Sequence, residues 1–206
     1  MNETVMMIEN NMATMTKISE RVSPPVEGIL IIDLEASGLH SNSYPTEIAW
    51  MDPIKDEKVT SYLIQPSQCW LETFWDPKAE AITGITRSMI IHDGCPIQDI
   101  AQFTIEAMRN APLILTDAPG RDAQWMRVLL EAAKVAYKPP PFMEYQEFMW
   151  RWFNSGVLLK GKRIHRAGQD VERMATAFKI AANVYPSDLS MISTVIGSGQ
   201  TSPNGL

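Results

Sequence analysis

Cysteine and long apolar runs are what the chain most lacks. Cys69 and Cys95 are the two cysteines among 206 residues, and they have neither C-x-x-C spacing nor histidines arranged for zinc. Two buried free thiols in a reducing, cytoplasmic location are therefore expected. No apolar run approaches the roughly 20 residues of a membrane span, and residues 1–10 lack the basic segment of a signal peptide. These absences disfavour a disulfide scaffold, a structural zinc module and a membrane protein.

Positive charge is also in short supply. Lys and Arg number 18 against 24 Asp and Glu, so the net charge is −6. A protein that coats nucleic acid needs basic side chains to neutralise phosphates, and that class is disfavoured. An enzyme that meets polyanions through metal ions is not, because clustered carboxylates are negative until cations reverse the local field. The chain has neither G-x-G-x-x-G nor G-x-x-x-x-G-K-[ST], so a Rossmann-type nucleotide-binding enzyme ranks last.

The composition predicts one folded domain between two poorly structured ends. The chain is 45% apolar, which is enough for one core. Residues 1–27 are rich in Met, Asn, Ser and Thr and are expected to form a flexible tail. The domain is expected at 28–186. Residues 187–206, rich in Gly, Ser and Pro toward their end, are expected to be a partly disordered extension.

The hydrophobic pattern predicts an α/β fold with a mixed sheet. An antiparallel meander is expected first, and helices that alternate with further strands are expected after it. The predicted strands are 29–33, 47–51, 59–65 and 112–116. The predicted helices are a short one at 77–82 within the segment 76–87, and longer ones at 96–108, 121–135, 142–153 and 165–182.

Four acidic residues and one histidine follow one another in an order that suits metal chemistry. Asp33 and Glu35 end the first predicted strand, and residues i and i+2 of a strand share one face. Asp122 lies in the first turn of a predicted helix, and His165 and Asp170 open the last one. Four carboxylates and a general base would suit the hydrolysis of phosphodiester bonds.

Each of these residues also has a structural explanation. A strand can simply end in a polar loop, as at Asp33. A carboxylate in a first helical turn, such as Asp122, is favoured by the helix dipole. Asp117 competes with Asp122, since it too lies near a strand end. His165 can merely cap or pack at a helix start.

The chain resembles the DEDDh-type 3′–5′ exonucleases, the DnaQ-like and RNase T-like group of the RNase H-like superfamily. Residues 33–39, Asp-Leu-Glu-Ala-Ser-Gly-Leu, are similar to the first motif of that family. Residues 82–86, Ile-Thr-Gly-Ile-Thr, match the element that follows its third strand. Residues 165–170, His-Arg-Ala-Gly-Gln-Asp, match its third motif, His-x-Ala-x-x-Asp. The resemblance covers roughly residues 28–180, and it implies an RNase H-like mixed sheet.

Two positions depart from the family pattern. Thr116-Asp117 stands where the family often has His-Asn, and Arg121 stands where an aromatic residue commonly precedes the second-motif acid. Neither change removes an expected metal ligand. Both affect the expected substrate contacts, and Arg121 would supply a phosphate contact.

The resemblance implies hydrolysis assisted by two Mg²⁺ or Mn²⁺ ions. Asp33 would bridge both ions, Glu35 and Asp170 would complete the site that carries the attacking water, and Asp122 would hold the second ion. His165 would take the proton from the water, as suits an imidazole with an ordinary pKa near 6.5.

The implied substrate is the 3′ end of single-stranded DNA or RNA. The implied products are nucleoside monophosphates. Processive action on long strands would need a partner or a homodimer. A catalytically idle binding module of the same fold is the alternative. The expected substrate contacts are Ala36, Gly38, Leu39, His40 and Arg121. Trp70, Phe74 and Trp75 would offer a stacking platform or, as favoured for Trp75, core packing.

Overall fold

The computed structural model describes residues 28–73, 75–153 and 165–184. The predicted tails at 1–27 and 187–206 lie outside the described residues, as does Phe74. Among the described residues, no helix is long and apolar enough to cross a membrane. The strands are β1 (Ile29–Ala36), β2 (Pro45–Met51), β3 (Thr60–Leu63), β4 (Leu113–Thr116) and β5 (Phe142–Glu144). The helices are α1 (Gln68–Leu71), α2 (Pro77–Thr83), α3 (Arg87–His92), α4 (Ile97–Arg109), α5 (Pro119–Ala132), α6 (Tyr145–Phe153) and α7 (Ala167–Val184).

The five strands form one mixed sheet in the order β3-β2-β1-β4-β5. β1 pairs antiparallel with β2, and β2 with β3, which is the predicted meander. β4 then runs parallel to β1, and β5 runs parallel to β4. The mixed RNase H-like sheet with flanking helices is therefore confirmed, and β1 is its central strand.

Side chains along β1 point alternately to the two faces of the sheet, and each face has its own hydrophobic core. Ile29 and Ile31 pack with α6 and α7, whereas Leu30 and Ile32 pack with the cluster that contains α4 and α5. The apolar run that opens β1 is buried on both faces because each face carries helices. The odd-numbered face continues to Asp33 and Glu35, so these two carboxylates lie on the side of the sheet that α7 covers.

Residues 142–153, predicted as one helix, begin with a strand instead. Phe142, Met143 and Glu144 pair with Ile114, Leu115 and Thr116 as β5, and the helix begins at Tyr145. The prolines at 139–141 favour an extended chain just before this point. β4 then offers an open edge for the extended chain.

The two cysteines lie elsewhere than predicted, and the structure decides between the alternatives for two tryptophans. Cys69 is exposed and Cys95 is half-buried, so the expectation of two buried thiols is wrong. The Trp70 ring is buried and stacks on Tyr44 with 5.0 Å between ring centroids. Trp75 also packs against the core cluster beside Tyr44. Core packing, rather than an open stacking platform, therefore accounts for both tryptophans.

Candidate functional site

The carboxyl ends of β1 and β4 lie at the same edge of the sheet because the two strands are parallel. Their register pairs Ile29 with Leu113 and Ile31 with Leu115. Continued by two residues, the same register places Asp33 level with Asp117, just past the end of β4. This is the edge at which open α/β sheets place ligands.

Two acidic groups share Asp33. Oxygens of Asp33, Glu35 and Asp170 lie within 4.8 Å of one another, and so do oxygens of Asp33, Asp117 and Asp122. Five carboxylates therefore converge, including all four of those expected from the sequence. Asp117 and Asp122, which were competing candidates, both approach Asp33.

Three of these carboxylates are almost completely removed from solvent. Asp33, Asp122 and Asp170 are 2%, 1% and 2% exposed. Oδ2 of Asp122 accepts a hydrogen bond from the Thr116 hydroxyl, while its buried Oδ1 has no hydrogen-bond partner among the described residues. A buried acceptor without a partner is costly, and a bound cation would satisfy it.

The cluster is electrostatically strained as it stands. Burial is the main cause that raises the pKa of Asp33 well above its usual range, and the neighbouring Asp122 and Asp117 carboxylates raise it further. Burial also raises the pKa of Asp122 to about 8, against the opposing effect of the Thr116 hydroxyl. Deprotonated carboxylates at this spacing repel unless positive charge lies between them.

Asp170 reaches the cluster from the first turn of α7. Its backbone N–H donates to the Arg166 carbonyl at 3.0 Å, which holds it at the start of the helix. Arg173, one turn further along, places Nη2 3.2 Å from the Asp170 Oδ1. Sequence reasoning missed Arg173, although its i+3 spacing from Asp170 is a signal that could have found it.

His165 immediately precedes α7 and has an uncommon backbone conformation. Its φ of 52° lies in the left-handed region, which costs a residue with a side chain about 1–2 kcal/mol. The side chain is half-buried, and His165 belongs to neither of the two acidic groups. The structure thus places it next to the segment that carries Asp170, without making it a member of the proposed ligand set.

Glu47 joins the start of α7 to β2. Its buried carboxylate accepts hydrogen bonds from the Arg166 guanidinium, with Nη2 2.7 Å from Oε1, and from the Ala167 backbone N–H at 2.8 Å. Sequence reasoning identified Glu47 as a strand residue and did not assign it a role. Because 119 residues separate Glu47 from Arg166, no local pattern could have predicted the contact.

The loop after β1 brings the expected substrate contacts to the same edge. Leu39 and His40 are exposed, and the Arg121 Nη1 lies 3.5 Å from the Leu39 carbonyl oxygen. Ala36 is buried as the last residue of β1. At Gly38, a Cβ would lie 2.9 Å from the Asp76 Cβ, so the loop passes too close to Asp76 for a side chain there.

The donor set fits hard divalent cations. All five converging groups offer carboxylate oxygens, the ligands preferred by Mg²⁺ and Mn²⁺, and Asp33 belongs to both groups. Zinc would be expected to draw on nitrogen or sulfur ligands, and neither acidic group contains any. Asp33, Glu35 and Asp170 would hold one ion, and Asp33, Asp117 and Asp122 a second.

No family model and no curated protein sequence matches the chain. Among solved structures, the chain is similar to Escherichia coli exonuclease I in its zinc-bound complex with single-stranded DNA. The TM-score is 0.59 and the sequence identity is 17%, and the match covers 81% of this chain and 42% of that chain. Exonuclease I from Methylocaldum szegediense gives a TM-score of 0.59 and 14% identity over 81% and 42%. A product-bound exonuclease I gives 0.57 and 15% over 81% and 46%. The chain spans less than half the length of these neighbours, and likeness at this identity establishes the fold.

Proposed function

We propose that the chain is a metal-dependent 3′–5′ exonuclease of the DEDDh type. Its substrates would be the 3′ ends of single-stranded DNA or RNA, and its products nucleoside monophosphates. Residues 28–186 would form the exonuclease domain. The observation that carries the proposal is the pair of acidic groups that share Asp33, at the carboxyl edge of a sheet whose fold is that of exonuclease I.

Each group of side chains has a distinct task in this proposal. Bound divalent cations would supply positive charge to the attacking water and to the leaving 3′ oxygen. Asp33 would hold both ions in fixed relation. Glu35 and Asp170 would complete the position nearer α7, while Asp117 and Asp122 would complete the position nearer β4. An imidazole nitrogen of His165 would accept the proton of the attacking water.

The substrate would meet the loop after β1. Leu39 and His40 are exposed there, and Arg121 beside them carries a charge suited to a phosphate. Solved structures of Escherichia coli exonuclease I contain single-stranded DNA and dT13 or dA16 oligonucleotides, which supports testing single strands first. The chain's net charge of −6 is consistent with contact through a local site rather than a broad basic surface.

The decisive experiment follows the polarity of degradation. Oligonucleotides labelled at the 3′ or the 5′ end, as single-stranded DNA, duplex DNA and RNA, are incubated with Mg²⁺, with Mn²⁺ or with EDTA. Early release of the 3′ label as a mononucleotide, a shortening ladder on 5′-labelled strands and loss of both with EDTA are expected.

Matched variants separate this activity from a contaminant. Asp33→Asn should be inactive, whereas Asp99→Asn, an exposed acid in the first turn of α4, should behave like the wild type. Strand binding without cleavage in any metal would instead identify a catalytically idle binding module. Equal activity of Asp33→Asn and wild type would refute the proposed site.

A further inference from the structure

Glu47 makes an unusually complete set of contacts for a buried carboxylate. It is 3% exposed. Arg166 Nε lies 3.2 Å and 3.0 Å from its two oxygens, Arg166 Nη2 lies 2.7 Å from Oε1, and the Ala167 N–H lies 2.8 Å from Oε2. A fork of this kind fixes orientation as well as distance, which a single contact would not do.

The residues that Glu47 holds are the ones that begin α7. Arg166 follows His165 directly, and its carbonyl accepts the N–H groups of Gln169 and Asp170, both at 3.0 Å. The side chain of Arg166 is therefore tied to β2 while its backbone caps the helix that carries Asp170. His165, with its φ of 52°, sits at the boundary of this anchored segment.

The ion pair of Glu47 and Arg166 also affects the charge next to the acidic groups, because Arg166 neutralises Glu47 there. Glu47 lies opposite Glu35 in the register of β1 and β2, so two carboxylates face each other across the strands. Both carboxylates raise the pKa of the Arg166 guanidinium. Its hydrogen bonds to Glu47 are the main cause, and the negative charge of Glu35 adds to the effect. Without the guanidinium, Glu47 would add unneutralised negative charge next to a proposed metal ligand.

We propose that Glu47 and Arg166 are positioning residues for His165. They hold the first residues of α7 against β2, and this contact maintains the left-handed backbone that presents the histidine to the reacting water. The inference rests on the proposed function, because it assigns the pair a task in that reaction. A purely structural ion pair would stabilise the fold and leave the action of His165 unaffected.

A double-mutant cycle on the full chain distinguishes the two roles. Turnover at saturating oligonucleotide and Mn²⁺ is measured for wild type, Arg166→Ala, His165→Ala and the double variant. Misplacement of a catalytic group by about 1 Å can cost about 10²-fold, so Arg166→Ala is expected to lose about that much. In the His165→Ala background the same change should cost no more than about twofold, since the misplaced group is already absent.

One further measurement does not depend on activity. Mn²⁺ affinity, measured by electron paramagnetic resonance, should stay within about threefold of wild type in the paired variant Glu47→Gln with Arg166→Met. This variant leaves the net charge of the pair unchanged, and Asp170 is also held by Arg173 and by the buried face of α7. Arg109→Ala is the matched control, since it removes one arginine from an exposed ion pair with Glu106 on α4. This control should keep wild-type turnover and Mn²⁺ affinity.

Removal of Arg166 alone leaves a buried charge and risks unfolding. The paired variant Glu47→Gln with Arg166→Met removes both charges and keeps an acceptor for the Ala167 N–H. The paired variant should fold. Its loss of turnover should be about 10²-fold when His165 is present and no more than about twofold in the His165→Ala background, as for Arg166→Ala. Wild-type turnover in the folded paired variant, or equal losses in the presence and absence of His165, would overturn the inference alone. A wild-type protein without EDTA-sensitive hydrolysis would overturn the proposed function, and the inference with it.

Discussion

Asp122→Asn should make the metal-free protein more stable at neutral pH while it removes activity. Asp122 is buried, and its pKa is about 8 in the folded protein against about 3.9 in an unfolded chain. Between these values the folded state binds more protons than the unfolded state, so the free energy of unfolding falls as pH rises. The slope is about 1.4 kcal/mol per pH unit for one group. From about pH 5 to about pH 7.5 the wild type should therefore lose about 3 kcal/mol on account of Asp122.

The asparagine variant does not titrate at this position, so this loss should disappear. Urea unfolding in EDTA at about pH 5 and about pH 7.5 measures the effect. The stability of Asp122→Asn relative to wild type should be more favourable at the higher pH by about 3 kcal/mol. Mn²⁺ should restore the stability of the wild type at the higher pH, because bound cations replace the protons on the carboxylates. It should stabilise the Asp122→Asn variant less.

The exposed Asp99→Asn protein is the control, and its relative stability should be the same at both pH values. A relative stability of Asp122→Asn that does not change with pH would refute the argument, since the burial of an ionisable group would then carry no proton linkage. Equal stabilisation of wild type and Asp122→Asn by Mn²⁺ would contradict the assignment of Asp122 as a ligand.

Three further outcomes are expected. Asp33→Asn and Glu35→Gln should each abolish hydrolysis without lowering the melting temperature in EDTA, because each removes repulsion but little volume; a melting temperature that falls with the activity would point to a structural role. Asp117→Asn should weaken Mn²⁺ binding by about 10-fold, as measured by electron paramagnetic resonance, since it removes one charged ligand; wild-type affinity would exclude Asp117 from the site. His165→Ala should reduce turnover by about 10²- to 10⁴-fold with Mn²⁺ binding retained, and full turnover in a well-folded variant would eliminate His165 as the base.

The parts of the fold and site that sequence could predict are those fixed by short-range geometry. Asp33 and Glu35 share a face because side chains alternate along any strand, and the apolar stripe of α7 repeats at helical spacing. The structure confirms the mixed sheet and brings Asp33, Glu35, Asp122 and Asp170 together. The catalytic roles of these residues and of His165 stay predictions.

The parts that sequence could not predict depend on distant segments. β5 is three residues long, and its pairing with β4 rather than its own composition makes it a strand. Asp117 joins Asp33 through the register of β1 with β4, which no local pattern contains. The Glu47 contact with Arg166 likewise depends on how α7 lies over β2. Each of these features exists only once the chain has packed.

The membership of Asp33 in both acidic groups makes the two cation positions interdependent. An ion in either position would neutralise charge that otherwise opposes ionisation of the other group, and it would also fix the shared carboxylate in place. Occupancy should therefore be cooperative, with positive coupling when neutralisation outweighs repulsion between the ions. Mn²⁺ binding, measured by electron paramagnetic resonance, should then be sigmoidal, and Asp117→Asn should make the binding curve closer to hyperbolic. A single shared side chain would then make metal occupancy change over a narrow range of metal concentration.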